Sequence, residues 1–94
     1  MSKADEMFKE LGYEKEEDKY RIAYYLKQNF THFIVIKKIY LYKIEKDICM
    51  EQWNITEGIK ISYNIGMQEL QAINEKVKEL RMDRKIREEW NTWE

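Results

Sequence analysis

Tyr20-Arg-Ile-Ala-Tyr-Tyr-Leu-Lys27 alternates with a period of two. Tyr20, Ile22, Tyr24 and Leu26 fall on one side of an extended chain, and Arg21, Ala23, Tyr25 and Lys27 on the other, the pattern of a half-buried strand. Gln28–Asn29 reads as a turn into Phe30–Ile36, which is rich in β-branched and aromatic residues. The next stretch has two readings. Lys37–Lys38 is a tight turn before Ile39–Ile44, or Phe33–Tyr42 is one long strand, since no Gly or Asn marks a reversal. After the polar break Glu45–Asp47, Ile48–Ile55 and Ile59–Tyr63 read as strands around Thr56–Glu57–Gly58. Residues 20–63 therefore form an antiparallel meander of about four strands.

Helices flank the meander. Ser2 caps a short one within residues 1–13, with Asp5 three positions later in a capping pattern. Ala4, Met7, Phe8 and Leu11 share its face, Gly12 suits a left-handed cap, and Tyr13 packs back over the helix end. Glu14–Lys19 reads as a solvated linker. A long C-terminal helix spans 67–94, with Asn64 or Gly66 as N-cap and Glu69 favouring its positive end. Its apolar stripe runs Leu70, Ile73, Val77, Leu80. It then shifts to Met82, Ile86, Trp90 and Trp93, roughly 165° away at about 100° per residue. The expected fold is a single α+β domain over 1–94 in two layers, both helices on one sheet face. Phe8, Leu11, Leu70, Ile73, Val77 and Leu80 meet the strands in that arrangement.

Composition limits the function classes. Ninety-four residues with 44% hydrophobic and 14% aromatic content suit one folded domain near the lower size limit of a single core. Eighteen acids against 17 bases disfavour a strongly electrostatic nucleic-acid binder. The one cysteine, Cys49, excludes an internal disulfide and reads as a small apolar residue. Neither a leader peptide nor a stretch of about 20 apolar residues is evident, so the expectation is a soluble intracellular protein without membrane contact.

Two segments, Met1-Ser-Lys-Ala-Asp-Glu-Met-Phe-Lys-Glu-Leu-Gly-Tyr13 and Met67-Gln-Glu-Leu-Gln-Ala-Ile-Asn-Glu-Lys-Val-Lys-Glu-Leu80, resemble a group of short, largely uncharacterised proteins encoded by phages and prophages of Gram-positive bacteria. The likeness covers both helices, about a third of the chain. It implies a bacterial host cytoplasm and an accessory or host-modulating, anti-defence role, and it transfers no catalytic residues. Members commonly stop after a Leu-Gly-Trp-like ending, whereas this chain continues through Arg81–Glu94.

Catalysis has little to build on. His32 is the sole histidine, and Glu16–Glu17 and Glu88–Glu89 sit in charged surroundings without an apolar setting to raise a pKa. No Cys/His cluster has metal-ligand spacing and no glycine-rich phosphate loop occurs. The expectation is a non-enzyme without cofactor or metal. Three features remain as contact surfaces. Met82, Ile86, Trp90 and Trp93 form a stripe that either folds back after a bend at Arg81–Asp83 or meets another molecule. That molecule is a host or phage protein, or a second copy in a homo-oligomer. Tyr25 and Tyr42 supply aromatic surface on the sheet. Arg81, Arg84 and Arg87 support the alternative of nucleotide or nucleic-acid binding, such as sequestering a signalling nucleotide, although Asp83, Glu88 and Glu89 interleave with them.

Overall fold

The structure, a computed structural model, describes residues 2–82. In chain order the elements are α1 (Lys3–Glu10), β1 (Glu14–Glu17), β2 (Arg21–Asn29), β3 (Ile34–Tyr42), β4 (Asp47–Asn54), β5 (Ile59–Ile61) and α2 (Met67–Met82). The strands form one antiparallel sheet in the order β1-β2-β3-β4-β5, and the α+β meander expected from the sequence is present. Of the two readings for residues 33–44, the single long strand is the one adopted, as β3.

Four strands become five because β1 occupies the supposed linker. Glu-Lys-Glu-Glu carries no apolar alternation, and all four residues are exposed. Its backbone pairs with β2 from Glu14↔Tyr25 to Glu17↔Ile22. Ion pairs from Lys15 to Asp5 (2.7 Å) and from Lys43 to Glu17 (2.7 Å) tie it down. A charged edge strand also resists pairing with a stray chain. Gln28–Asn29 belongs to β2, and the reversal falls at Phe30–Phe33, where the Phe30 N–H donates to the Phe33 carbonyl (2.9 Å).

The cap signals of α1 translate directly. Ser2 Oγ accepts from the Asp5 N–H (3.1 Å). At the other end the Gly12 N–H donates to Lys9 O and the Tyr13 N–H to Phe8 O, both at 3.0 Å. That double closure needs the positive φ of Gly12, +93°, and brings Tyr13 edge-on to Phe8 at 5.5 Å between ring centroids.

Register assigns the two sheet faces. Ile22↔Leu41, Tyr24↔Ile39 and Leu26↔Lys37 lie on the helix side. There Phe8, Tyr13, Ile22, Tyr24, Ile39, Leu41, Ala72, Ile73 and Leu80 form the core, with Phe8 stacked on Tyr24 at 3.8 Å. One expected core residue is misplaced. The buried stripe of α2 is Glu69, Ala72, Ile73, Lys76 and Leu80, so Leu70, about 100° round from Glu69, is 38% exposed.

That stripe buries two charges, and each has a complete set of partners. The Glu69 carboxylate accepts from Lys37 Nζ (2.7 Å), Tyr63 Oη (2.7 Å), the Gly66 N–H (2.9 Å) and Tyr13 Oη. The Gly66 bond is the return half of a capping box: the Leu70 N–H bonds Gly66 O at 3.0 Å, which makes Gly66 the N-cap. Lys76 meets Asp5 at 3.2 Å and Glu79 at 3.7 Å. Asp5 also accepts from Tyr24 Oη (2.6 Å), and Glu79 accepts from the Ala4 N–H (2.8 Å) and Ser2 Oγ.

Burial opposes ionisation of Glu69, yet the bonds from Lys37, Tyr13, Tyr63 and Gly66 outweigh it and hold its carboxyl below the ordinary value. The same balance, with Lys15, Tyr24 and Lys76 as donors, lowers Asp5. Depressed folded-state values mean that the unfolded chain binds protons first. These carboxylates therefore contribute stability present above their unfolded values near 4.5 and 3.8, and it is lost as pH falls through the folded ones. At the alkaline end the signs reverse. Burial and then hydrogen bonding to carboxylates raise Tyr13 and Tyr24 above 10.0, so their contribution is intact below pH 10 and falls above it. Urea midpoints across pH are expected to form a plateau with losses below about pH 4.5 and above about pH 10; a midpoint unchanged down to pH 2.5 overturns the acid-side assignment.

Candidate binding surface on the open sheet face

Both helices pack on one side, so the opposite face of β2 and β3 has no covering element among the described residues. It displays Arg21, Tyr25 and Lys27 from β2, where Ala23 is only 1% exposed, and Tyr42, Tyr40, Lys38 and Ile36 from β3. Tyr25 packs edge-on to Tyr40 at 6.1 Å, and Tyr42 lies 6.2 Å from Tyr40. The Arg21 guanidinium sits over the Tyr40 ring at 4.9 Å, and its neighbour Tyr42 contributes most to raising its pKa. Burial, followed by the neighbouring Tyr25 and Glu51, pushes the Tyr40 hydroxyl up to about 12. The Tyr40 hydroxyl is therefore neutral at ordinary pH, with one cation stacked on its ring.

The two central strands carry no acid on this face. Acids stand at its rims: Glu14 and Glu16 on β1, Asp47 and Glu51 on β4. Glu51 is directed outward, accepting from Trp53 Nε1 (3.2 Å) and lying 3.8 Å from Lys60. Where β1 begins, a groove of about 390 Å³ opens, lined by Gly12, Glu14, Tyr25, Lys27, Ile36 and Lys38.

The two sheet tyrosines expected as contacts, Tyr25 and Tyr42, are thus brought together through Tyr40. Tyr40 went unassigned in the sequence, as did Arg21, Lys27, Lys38 and Trp53. The odd-numbered phase of Tyr20–Lys27 was a usable signal for Arg21 and Lys27; the β3 members depend on register. His32 sits exposed in the β2–β3 turn, and Cys49 is half-buried opposite Tyr40. Arg81 and Met82 close α2 as backbone, and their side chains fall outside the description. Arg84, Ile86, Arg87, Trp90 and Trp93 lie outside the described residues altogether.

The hollow of about 450 Å³ between α1 and β1 is walled by Phe8, Tyr13 and Tyr24, and its polar groups Asp5, Lys15 and Tyr24 bond one another. In the Lys37–Glu69 cluster the shifts drive Glu69 down and Tyr13 and Tyr63 up, away from neutrality. A general acid or base needs the opposite. No described helix is long and apolar enough to cross a membrane, and no cluster of three metal-ligating side chains occurs among the described residues. No family model, curated protein or solved structure matches the chain.

Proposed function

We propose that this chain acts by non-catalytic binding of a protein partner, with the open sheet face as its working surface. The carrying observation is the Tyr25–Tyr40–Tyr42 cluster, fixed ring against ring on a face that neither helix covers. Tyrosine rings held in place lose little conformational entropy on docking and offer apolar area with a polar tip. Arg21, stacked on Tyr40, supplies a pre-oriented donor fork of the kind that dominates protein contacts. The acid rims give such a surface a polar margin. In keeping with the resemblance of its helices, the setting proposed is a phage or prophage accessory protein acting on a host or phage protein in the bacterial cytoplasm. The stripe Ile86, Trp90, Trp93 and the basic set Arg84, Arg87 contribute nothing to this reading, which stands on the sheet alone.

The test compares the immobilised full chain with Tyr40→Ser/Tyr42→Ser in capturing proteins from a bacterial lysate, with circular dichroism to verify the fold. Removing two central rings is expected to weaken the specific partner by about 2 kcal/mol or more, roughly thirtyfold. An identical bound set at undiminished yield for the folded variant rejects the open face as the working surface.

A further inference from the structure

Lys27 and Lys38 are arranged in a way that the fold does not explain. Tyr25 lies directly across from Lys38, and Lys27 directly across from Ile36, so the two lysines are diagonal neighbours on one face. Diagonal positions stand roughly 7–8 Å apart, close enough for two ammonium groups to repel. The cross-strand acid beside Lys38 is Glu51, and it is turned toward Trp53 and Lys60. Among the described residues neither lysine has a carboxylate within ion-pair distance. Both line the groove of about 390 Å³, with Tyr25 and Ile36 as its apolar side, the side-chain-free Gly12 at its rim and Glu14, across from Tyr25, as the acid on its β1 side. That volume lies within the range of small-ligand sites.

We propose that this groove binds a nucleoside phosphate, the base against Tyr25 and the phosphate between Lys27 and Lys38. An anion there relieves the lysine repulsion. A planar ring finds an aromatic surface already held edge-on by Tyr40 at 6.1 Å. The groove is open toward the β2–β3 turn, so the phosphate can belong to a free nucleotide or to a nucleotide within a single strand. The inference shares the open face with the protein-binding reading but none of the residues substituted to test it, so the two can fail separately.

The experiment is a titration of the ¹⁵N-labelled full chain with ATP, with a single-stranded oligothymidylate, with inorganic phosphate and with a poly-glutamate peptide. ATP or the oligonucleotide is expected to shift the amides of Tyr25, Lys27, Ile36 and Lys38. Lys27→Gln/Lys38→Gln is expected to weaken binding by about tenfold per lysine. If the oligonucleotide binds more tightly, with a log–log salt slope near about −0.7 from the single phosphate held between the lysines, the source is a strand. If ATP binds as well or better, the source is a free nucleotide. Absence of shifts with both, shifts confined to other amides, or equal binding by inorganic phosphate overturns the proposal. Equal binding by poly-glutamate likewise overturns it and leaves an acidic protein segment as occupant of the face.

Discussion

Glu69→Ala is expected to destabilise the protein by about 3–5 kcal/mol in urea unfolding, the usual cost of removing one partner from a buried ion pair. The side chains of Lys37 and Glu69 are 9% and 11% exposed, so water does little to replace the missing carboxylate. Truncation leaves the Lys37 ammonium with Asn64 O (2.7 Å) and the Tyr63 ring, 4.7 Å from its centroid. It also strips the Tyr13 and Tyr63 hydroxyls of an acceptor and removes the return bond to Gly66 at the start of α2. Lys37→Met is the informative contrast. It removes the charge partner but leaves Glu69 three donors, so its cost is expected to be lower, about 1–3 kcal/mol. In Lys37→Met/Glu69→Ala neither charge remains buried, and the double variant is expected to be more stable than Glu69→Ala. A cost below about 1 kcal/mol for Glu69→Ala, or strict additivity in the cycle, removes this cluster as a structural centre.

Phe8→Ala is expected to have an effect of the same order, about 3–5 kcal/mol, for a different reason. Phe8 is 1% exposed, stacked on Tyr24 at 3.8 Å and met edge-on by Tyr13 at 5.5 Å. Its removal leaves a cavity beside the two remaining rings, Tyr13 and Tyr24, that cannot close without moving α1. Yet α1 is tied at several other points: Asp5 to Tyr24, Lys15 and Lys76, and the Ser2–Ala4 end to Glu79. The loss should therefore be global, and hydrogen exchange of the Lys3–Glu10 amides should accelerate together with that of β2 and β3. Domains of this kind have about 5–15 kcal/mol in total, so the variant stands near the threshold of folding. Exchange that quickens in α1 alone, with a urea midpoint near wild type, means that the helix is an appendage rather than part of the core.

These two residues differ in how far the sequence exposed them. Phe8 was legible, because Ala4, Phe8 and Leu11 share a helical face and Gly12 marks the end of the turn. Glu69 was legible only as a first-turn acid suited to the helix dipole. Its burial depends on Lys37 from β3 and on Tyr13 and Tyr63 from loops, 56 and 6 residues away for the two tyrosines. Lys37 stood either in a tight turn or within one long strand, and the sequence carried no Gly or Asn to separate the two. β1 was missed because Glu-Lys-Glu-Glu carries no hydrophobic period; its strand character comes from the backbone of β2. Leu70 was misassigned because counting only apolar residues shifted the stripe of α2 away from its true centre between Glu69 and Lys76. The candidate surface was half visible: Tyr25 and Tyr42 stood out by composition, whereas Tyr40, Lys38 and Arg21 needed partners from a neighbouring strand.

By itself the sequence determined what is local: period-two strands, the Ser2 and Gly12 caps of α1, the glycine turn at Gly58 and the amphipathic start of α2. Each depends on residues a few positions apart, where backbone geometry leaves few choices. Tertiary structure decided the rest. Alternation says that Tyr25 and Lys27 share a face, but only register puts Lys38 across from Tyr25, and only the side-chain contacts with Trp53 and Lys60 draw Glu51 aside. Spacing says that Glu69 and Lys76 are seven residues apart on one helix, but only the packing of that helix on the sheet supplies Lys37 to one and Asp5 to the other. Cross-strand and interlayer neighbours are set by where the chain reverses and which layers meet, and no short-range period encodes either.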